Sequence, residues 1–253
     1  MSKQFELHAT TVLVTGGTRG IGRAISLQLA RAGANVIANY ARNDSAATAL
    51  VDEAKAEGLS IQALRADLTL AKGMADVAER LQQPAIGILS LVHCAATGVH
   101  KPIDQLTMRH WDWTMSLNVR SFFELVRLLL PGFRSGSAIV AVSSVGAVRA
   151  VPAYAAIGSS KGALESFARH LAAELAPKGI RVNVLSPGGV QTDAWDAFPD
   201  KDQRLIDTIR RTPLGRLVSV EEVAMAAQFL CSPASQGIVG QTLVIDGGAR
   251  IVD

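Results

Sequence analysis

Residues 11–22 read TVLVTGGTRGIG. A run of branched aliphatic residues breaks into glycines at Gly16, Gly17, Gly20 and Gly22, and a helical apolar pattern takes over from Ile21. Branched side chains favour a strand. Glycine permits a tight turn and lets an anion approach the backbone. The helix that follows aims its unpaired N–H groups back at that turn. The stretch is therefore a strand–turn–helix unit with an anion cradle at its joint.

The alternation continues outward. Strand-like runs at 35–40 (NVIANY), 60–66, 87–94 (GILSLVHC), 138–143, 180–186 and 242–246 alternate with helical patterns at 45–57, 71–82, 108–130, 159–176 and 220–231. Strands separated by helices predict right-handed crossovers and a parallel sheet covered on both faces. No linker or repeat divides the 253 residues. The expected fold is α/β: a single Rossmann-type doubly wound domain over 1–253, with a seven-stranded parallel sheet flanked by helices. The longest stretch without a pattern, 187–216, follows a strand end, where such folds place ligands, and 190–216 is the expected substrate lid.

Composition excludes several classes. With 49% apolar and 19% charged residues the chain is not disordered, and with 5% aromatics its core is built from Ala, Val, Leu and Ile. A chain this long buries a core without covalent staples. Cys94 and Cys231 are far apart and lack CxxC spacing, so neither a disulfide nor a metal site is expected. No signal peptide follows Lys3 and no uncharged apolar span is long enough for a membrane, which predicts a cytoplasmic protein. The net charge of +3 comes without a basic reading motif, so no nucleic-acid partner is expected. The basic excess is local: 201–216 holds five basic and two acidic residues, a docking face for an acidic partner or an ordinary solvated helix face.

The end of the second strand reads Asn39-Tyr40-Ala41-Arg42. A carboxylate there would accept from a ribose hydroxyl and repel a 2′-phosphate. Arg42 and Arg19 offer two guanidinium groups instead, which suit a phosphate dianion and point to NADPH.

The T-G-x-x-x-G-x-G spacing, and the chain as a whole, resemble the short-chain dehydrogenase/reductase family. The family's usual tyrosine, four residues before a lysine, is missing. In GSSKGALESFARHLAAELAPKGIRVNVLSPGG (158–189) the lysine is Lys161, and Ile157 stands at the tyrosine position. Tyr154 lies seven residues before Lys161. Seven helical steps sum to about 700°, ~20° short of two turns, with a rise of ~10.5 Å, so the two side chains share a face. Pro152 places Tyr154 at or before the helix start. The ammonium is expected to lower the phenol pKa. Tyr-x6-Lys, together with NYAR (39–42), HWDWTMSLNV (110–119), TDAWDAFP (192–199) and GQTLVIDGG (240–248), resembles the enoyl-acyl-carrier-protein reductase III branch.

That resemblance implies NADPH-dependent reduction of a trans-2-enoyl thioester carried on an acidic acyl carrier protein, in fatty-acid or related biosynthesis, by a homotetramer. It implies Tyr154, Lys161, Ser144 and Asn118 as catalytic residues. It implies cofactor contacts from Gly16, Thr18, Arg19, Gly20, Ile21, Ala41, Arg42, Asp67, Leu68, Cys94, Ala95, Lys161, Gly188 and Thr192. Trp195, Phe198, Leu205 and Ile206 would line the lid. Two other readings stand beside it. Ser186-Pro187-Gly188-Gly189 reads partly like the family's 3-oxoacyl or carbonyl reductases, and Ile157 alone suits a noncatalytic NADPH-binding module. The family's Asn-Asn-Ala-Gly turn is replaced by His93-Cys94-Ala95-Ala96, and His93 is assigned no chemistry.

Overall fold

The computed structural model describes residues 3–81, 87–192, 195, 196 and 200–252. The elements follow the order β1 (Thr10–Thr15), α1 (Gly20–Arg31), β2 (Asn35–Tyr40), α2 (Asp44–Ala56), β3 (Ile61–Arg65), α3 (Ala71–Leu81) and β4 (Ile88–His93). Then come α4 (Met108–Met115), α5 (Ser121–Leu129), β5 (Ala138–Val142), α6 (Ala155–Leu175), β6 (Arg181–Pro187), α7 (Lys201–Arg211), α8 (Val220–Cys231) and β7 (Thr242–Ile245). The seven strands form one parallel sheet in the order β3-β2-β1-β4-β5-β6-β7.

Two-residue alternation sends each strand into two cores. Val12 and Val14 face Ile25 and Leu29 of α1 and Val223 and Leu230 of α8. Leu13 faces the opposite layer, where Val77 of α3, Phe122 and Leu125 of α5 and Leu164 of α6 pack. The central strands are buried on both sides, so they read as continuous apolar runs. Helix starts follow local chemistry. Asn43 caps α2 by accepting from the Ala46 N–H, and Ser219 with Glu222 forms a reciprocal capping box on α8. The strand order reverses between β1 and β4, whose ends lie side by side with Thr15 opposite His93. The crevice at that reversal is where such sheets bind ligands.

Three boundaries differ from expectation. The single helix over 108–130 is two helices joined by a π-turn at Ser116–Arg120, where the Ser121 N–H reaches back to the Ser116 carbonyl. The helix expected from 159 begins at Ala155. The stretch over 187–216 is not irregular throughout, because it contains α7. Ile209 stands one helical turn on from the adjacent Leu205 and Ile206, but none of the helix's residues is buried. Gln82 and Phe198 lie outside the described residues. Among the described residues no helix is long and apolar enough to cross a membrane, and no group of His, Cys, Asp and Glu could hold a metal.

Candidate active site

The turns after β1, β2, β3 and β4 are tied into one edge. Gly16 has φ +62°, and a Cβ on it would lie 3.0 Å from the Ala95 Cα, so two turns touch at a place only glycine allows. The Gly17 N–H donates to the Asn39 carbonyl at 2.9 Å, and Asn39 Nδ2 donates to the Ala66 carbonyl at 2.9 Å. Thr18 is buried beneath the turn and Ile21 packs against the core. Arg19 precedes α1 in an extended conformation without a side-chain capping bond, so the first N–H groups of α1 have no cap. Among the described residues a Cβ on Gly20 would meet only the Thr192 Cγ2, 4.0 Å away. This is a cradle between the helix start and the segment after β6, suited to a phosphate-bearing cofactor.

At the mouth of the crevice Ala41, Arg42 and Arg19 are exposed and Leu68 is buried. The Thr69 hydroxyl and N–H donate to Asp67 Oδ1 at 2.6 and 3.0 Å and hold that carboxyl below its usual range, with a smaller pull from Arg42. Arg42 thus faces the Asp67 side of the mouth. Gly188, at the end of β6, donates its N–H to the Ile245 carbonyl.

The catalytic candidates come from β5, α6 and the π-turn. Ser144 follows β5. Its Oγ accepts from the Gly146 N–H and lies 3.4 Å from the Tyr154 hydroxyl. Tyr154 stands at the N-terminal boundary of α6, as Pro152 implied. Lys161, seven residues further along and within α6, is buried and donates to the Val142 carbonyl at 2.7 Å. Among the described residues the hydrogen bonds of Tyr154 and Lys161 run to Ser144 and Val142, not to each other. The phenol pKa is raised, not lowered: burial outweighs the Ser144 hydrogen bond, and no pull from the ammonium registers. Burial pulls the Lys161 ammonium down to about 8, against the upward pull of Cys94 and Glu165. Asn118 is buried in the π-turn. It accepts from the Thr97 N–H at 2.8 Å and donates to the Thr97 carbonyl and Ser160 Oγ at 2.9 Å each. It fastens the loop after β4 to α6, one residue from Lys161.

His93 has a structural part. Thr15 Oγ1 accepts from the Cys94 and Ala95 N–H groups at 3.0 Å each. With both lone pairs used, its proton goes to His93 Nδ1 at 3.1 Å, which places the ring proton on Nε2. Among the described residues that buried nitrogen has no hydrogen bond of normal geometry, although the Asn118 backbone gives the ring a small upward pull. Burial, with Lys161 nearby, pushes the ring down to about 3, so it is neutral. It stacks on Phe122 at 5.1 Å between centroids. His93 therefore holds the turn that carries Cys94 and Ala95 against Gly16.

Two residues escaped sequence reasoning. The ring of His100 stacks on Tyr154 at 5.5 Å between centroids, and burial with Arg204 of α7 nearby lowers its pKa. Glu165 is buried and accepts from Ser143 Oγ at 2.7 Å. Its spacing from Lys161, one helical turn, was the available signal; His100 offered none, because a loop brings it back over the site.

A family model described as enoyl-(acyl carrier protein) reductase matches residues 16–250. The chain is a short-chain dehydrogenase/reductase. Within that family it is similar to proteins of different substrates. It is 36% identical to the 1-cyclohexenylcarbonyl-CoA reductase of Streptomyces collinus, covering 95% of this chain and 86% of that protein. A gluconate 5-dehydrogenase from Burkholderia cenocepacia in complex with NADP and tartrate has a TM-score of 0.90 at 28% identity, over 99% of both chains. A short-chain dehydrogenase from the same organism in complex with NADP has a TM-score of 0.90 at 30% identity, over 97% of this chain and 99% of that one. This short-chain dehydrogenase/reductase is accordingly an NAD(P)-dependent oxidoreductase.

Proposed function

We propose that the enzyme reduces the 2,3 double bond of trans-2-enoyl thioesters with NADPH. The observation that carries this reading is the exchange of places around Lys161. Ile157, at the family's usual tyrosine position, is a packed core residue, while Tyr154 supplies the phenol and pairs with Ser144 at 3.4 Å. Tyr-x6-Lys is the spacing that the resemblance ties to enoyl reduction. The relative named for a cyclohexenylcarbonyl-CoA thioester supports an α,β-unsaturated thioester as the substrate class.

NADPH, when bound, supplies a hydride for the β-carbon of the enoyl group. The glycine turn, the uncapped start of α1 and Thr192 would hold its diphosphate, and Asp67 and Leu68 its adenine. Arg19 and Arg42 would hold its 2′-phosphate, and Cys94, Ala95, Gly188 and Lys161 its nicotinamide end. As the β-carbon is reduced, negative charge moves to the thioester oxygen. Tyr154 hydrogen-bonds that oxygen there, as an oxyanion hole does, and a proton taken up from solvent at the α-carbon completes the reduction. A raised phenol pKa keeps the proton on Tyr154 at neutral pH, which is the form a donor needs. Lys161, with its pKa near 8, is mainly cationic at pH 7 and keeps the site positive. His93, at Cys94–Ala95, and Asn118, at Thr97, both fix the loop after β4.

The same reading takes α7 as a lid and docking helix for an acidic acyl carrier protein. It takes the exposed Met108, Trp111, Trp113 and Phe123 on α4 and α5 as the face through which copies assemble into a homotetramer. The Ser144–Tyr154 pair favours a second reading, reduction of a 3-oxoacyl thioester, because a serine beside the phenol can share a carbonyl oxygen.

NADPH oxidation followed at 340 nm with a crotonyl and an acetoacetyl thioester tests both. Turnover of the enoyl substrate is expected, with a loss of about 10²–10³ in kcat for Tyr154→Phe and unchanged NADPH affinity. Turnover of the acetoacetyl thioester alone would replace the first reading by the second.

A further inference from the structure

Lys161 is a lysine taken almost wholly out of water, and burial of an ammonium is costly unless something opposes it. The groups around it can be sorted by charge. Its own hydrogen bond goes to a neutral carbonyl, that of Val142. From the end of β4 it faces His93, a neutral ring pushed down to about 3, and Cys94, a thiol pushed up to about 11 by burial. Neither carries charge between pH 6 and 9, so the upward pull that Cys94 exerts on Lys161 as a thiolate is absent there. Tyr154, at the start of the helix, has a raised pKa and is neutral there too. Glu165 is different. It stands one turn along α6 from Lys161, so both point to the same side of the helix. It is buried, and Ser143 Oγ donates to its Oε1 at 2.7 Å. Ser143 is the residue before Ser144, so the same carboxylate also fixes the strand end from which Ser144 reaches Tyr154.

We infer that Glu165 is a positioning residue. Its buried carboxylate keeps Lys161 in the ammonium form and anchors the Ser143–Ser144 segment, and it touches neither substrate nor cofactor. The inference rests on Lys161 acting as the cation of the site, as proposed above, and is independent of which thioester is reduced.

The test replaces the charge and keeps the shape. Glu165→Gln leaves an acceptor for Ser143, and Glu165→Asp keeps the charge. Lysine 13Cε shifts are followed from pH 6 to 10 in the full-length enzyme, with the Lys161 signal assigned by its loss in Lys161→Met. The Lys161 midpoint of the wild type is expected near 8. In Glu165→Gln it moves down by about one pH unit, and the Asp variant restores it. NADPH affinity, read from the fluorescence of the bound nicotinamide, loses its alkaline limb at correspondingly lower pH in Glu165→Gln. A purely structural glutamate would lower the melting temperature and leave both midpoints in place. Glu165→Ala serves as a second charge-free variant should the Gln form melt below the assay temperature. A Gln variant, or an Ala variant used in its place, that titrates like the wild type overturns the inference. A wild type whose NADPH affinity shows no alkaline limb while the Lys161 signal titrates overturns it as well, and takes with it the reading of Lys161 as the cation of the site.

Discussion

Gly98 and Ile157 occupy each other's space: a Cβ built on Gly98 would overlap Ile157 Cγ1 and lie 2.7 Å from its Cδ1. The loop after β4 can cross the start of α6 only because one partner has no side chain and the other is a branched aliphatic. The position that carries a tyrosine in the resembling family has become a packing site here, and the phenol has moved one helical turn back.

Gly98→Ala is therefore expected to destabilise the enzyme by about 1–3 kcal/mol, since Cγ1 sits close to the backbone and cannot swing away. The pair should be coupled. In urea unfolding, Gly98→Ala combined with Ile157→Ala is expected to cost less than the sum of the two single changes. Additive effects would mean that the loop relaxes without meeting Ile157.

Histidine 93 makes acid stability a local matter. Its ring has a folded-state pKa of about 3 against an ordinary 6.5. Below pH 6.5 the unfolded chain takes up a proton that the folded chain refuses, so stability falls as pH falls from 6.5 towards 3. One such group gives a slope of up to about 1.4 kcal/mol per pH unit. His93→Asn keeps a polar partner for Thr15 and removes the titration. Urea midpoints at pH 7 and pH 5 should move apart less in the variant than in the wild type. Equal movement would assign the acid loss to other groups.

Arg42 lies at the end of β2, exposed, with Asp67 across the mouth. If it meets the 2′-phosphate, Arg42→Ala should weaken NADPH by about 10- to 100-fold, the worth of a hydrogen bond to a charged group, and leave NADH unchanged. Equal loss for both cofactors would place Arg42 on the adenine side instead. Fluorescence titration of the two nucleotides separates the outcomes.

The fold was legible because its signals are local. Val12, Leu13 and Val14 announce a strand buried on both faces, and the glycines at 16–22 announce the turn after it. Pro152 marked Tyr154 as the start of the helix that carries Lys161. What depended on tertiary context was not legible. The phenol pKa goes up because burial outweighs charge, and burial is a property of the packed site. The π-turn that seats Asn118 rests on a loop bond to Thr97, 21 residues away in the chain. The helix α7 hid within 187–216 because its apolar side is three residues in a charged stretch, too little to bury any of them.

That same helix offers the last test. Lys201 pairs with Asp196 at 2.6 Å, Arg204 with Asp200 at 2.5 Å and Arg216 with Glu222 at 2.8 Å. Arg210 and Arg211, exposed in the last turn, have no acidic partner among the described residues. Arginines there also complement the helix dipole, worth a few tenths of a kcal/mol to stability, so their charge alone does not argue for docking. The two roles part in their effects. A dipole role predicts that Arg210→Glu with Arg211→Glu lowers the melting temperature slightly and treats all substrates alike. A docking role predicts a KM about 10-fold higher or more for an enoyl group on an acidic acyl carrier protein, with little change for the same group on a short pantetheine mimic. The wild-type KM for the carrier-bound substrate should also rise with salt, since exposed charges at an interface act mainly on the encounter rate and are screened. Equal kinetics for both substrates in the double variant would remove the carrier protein from the proposal.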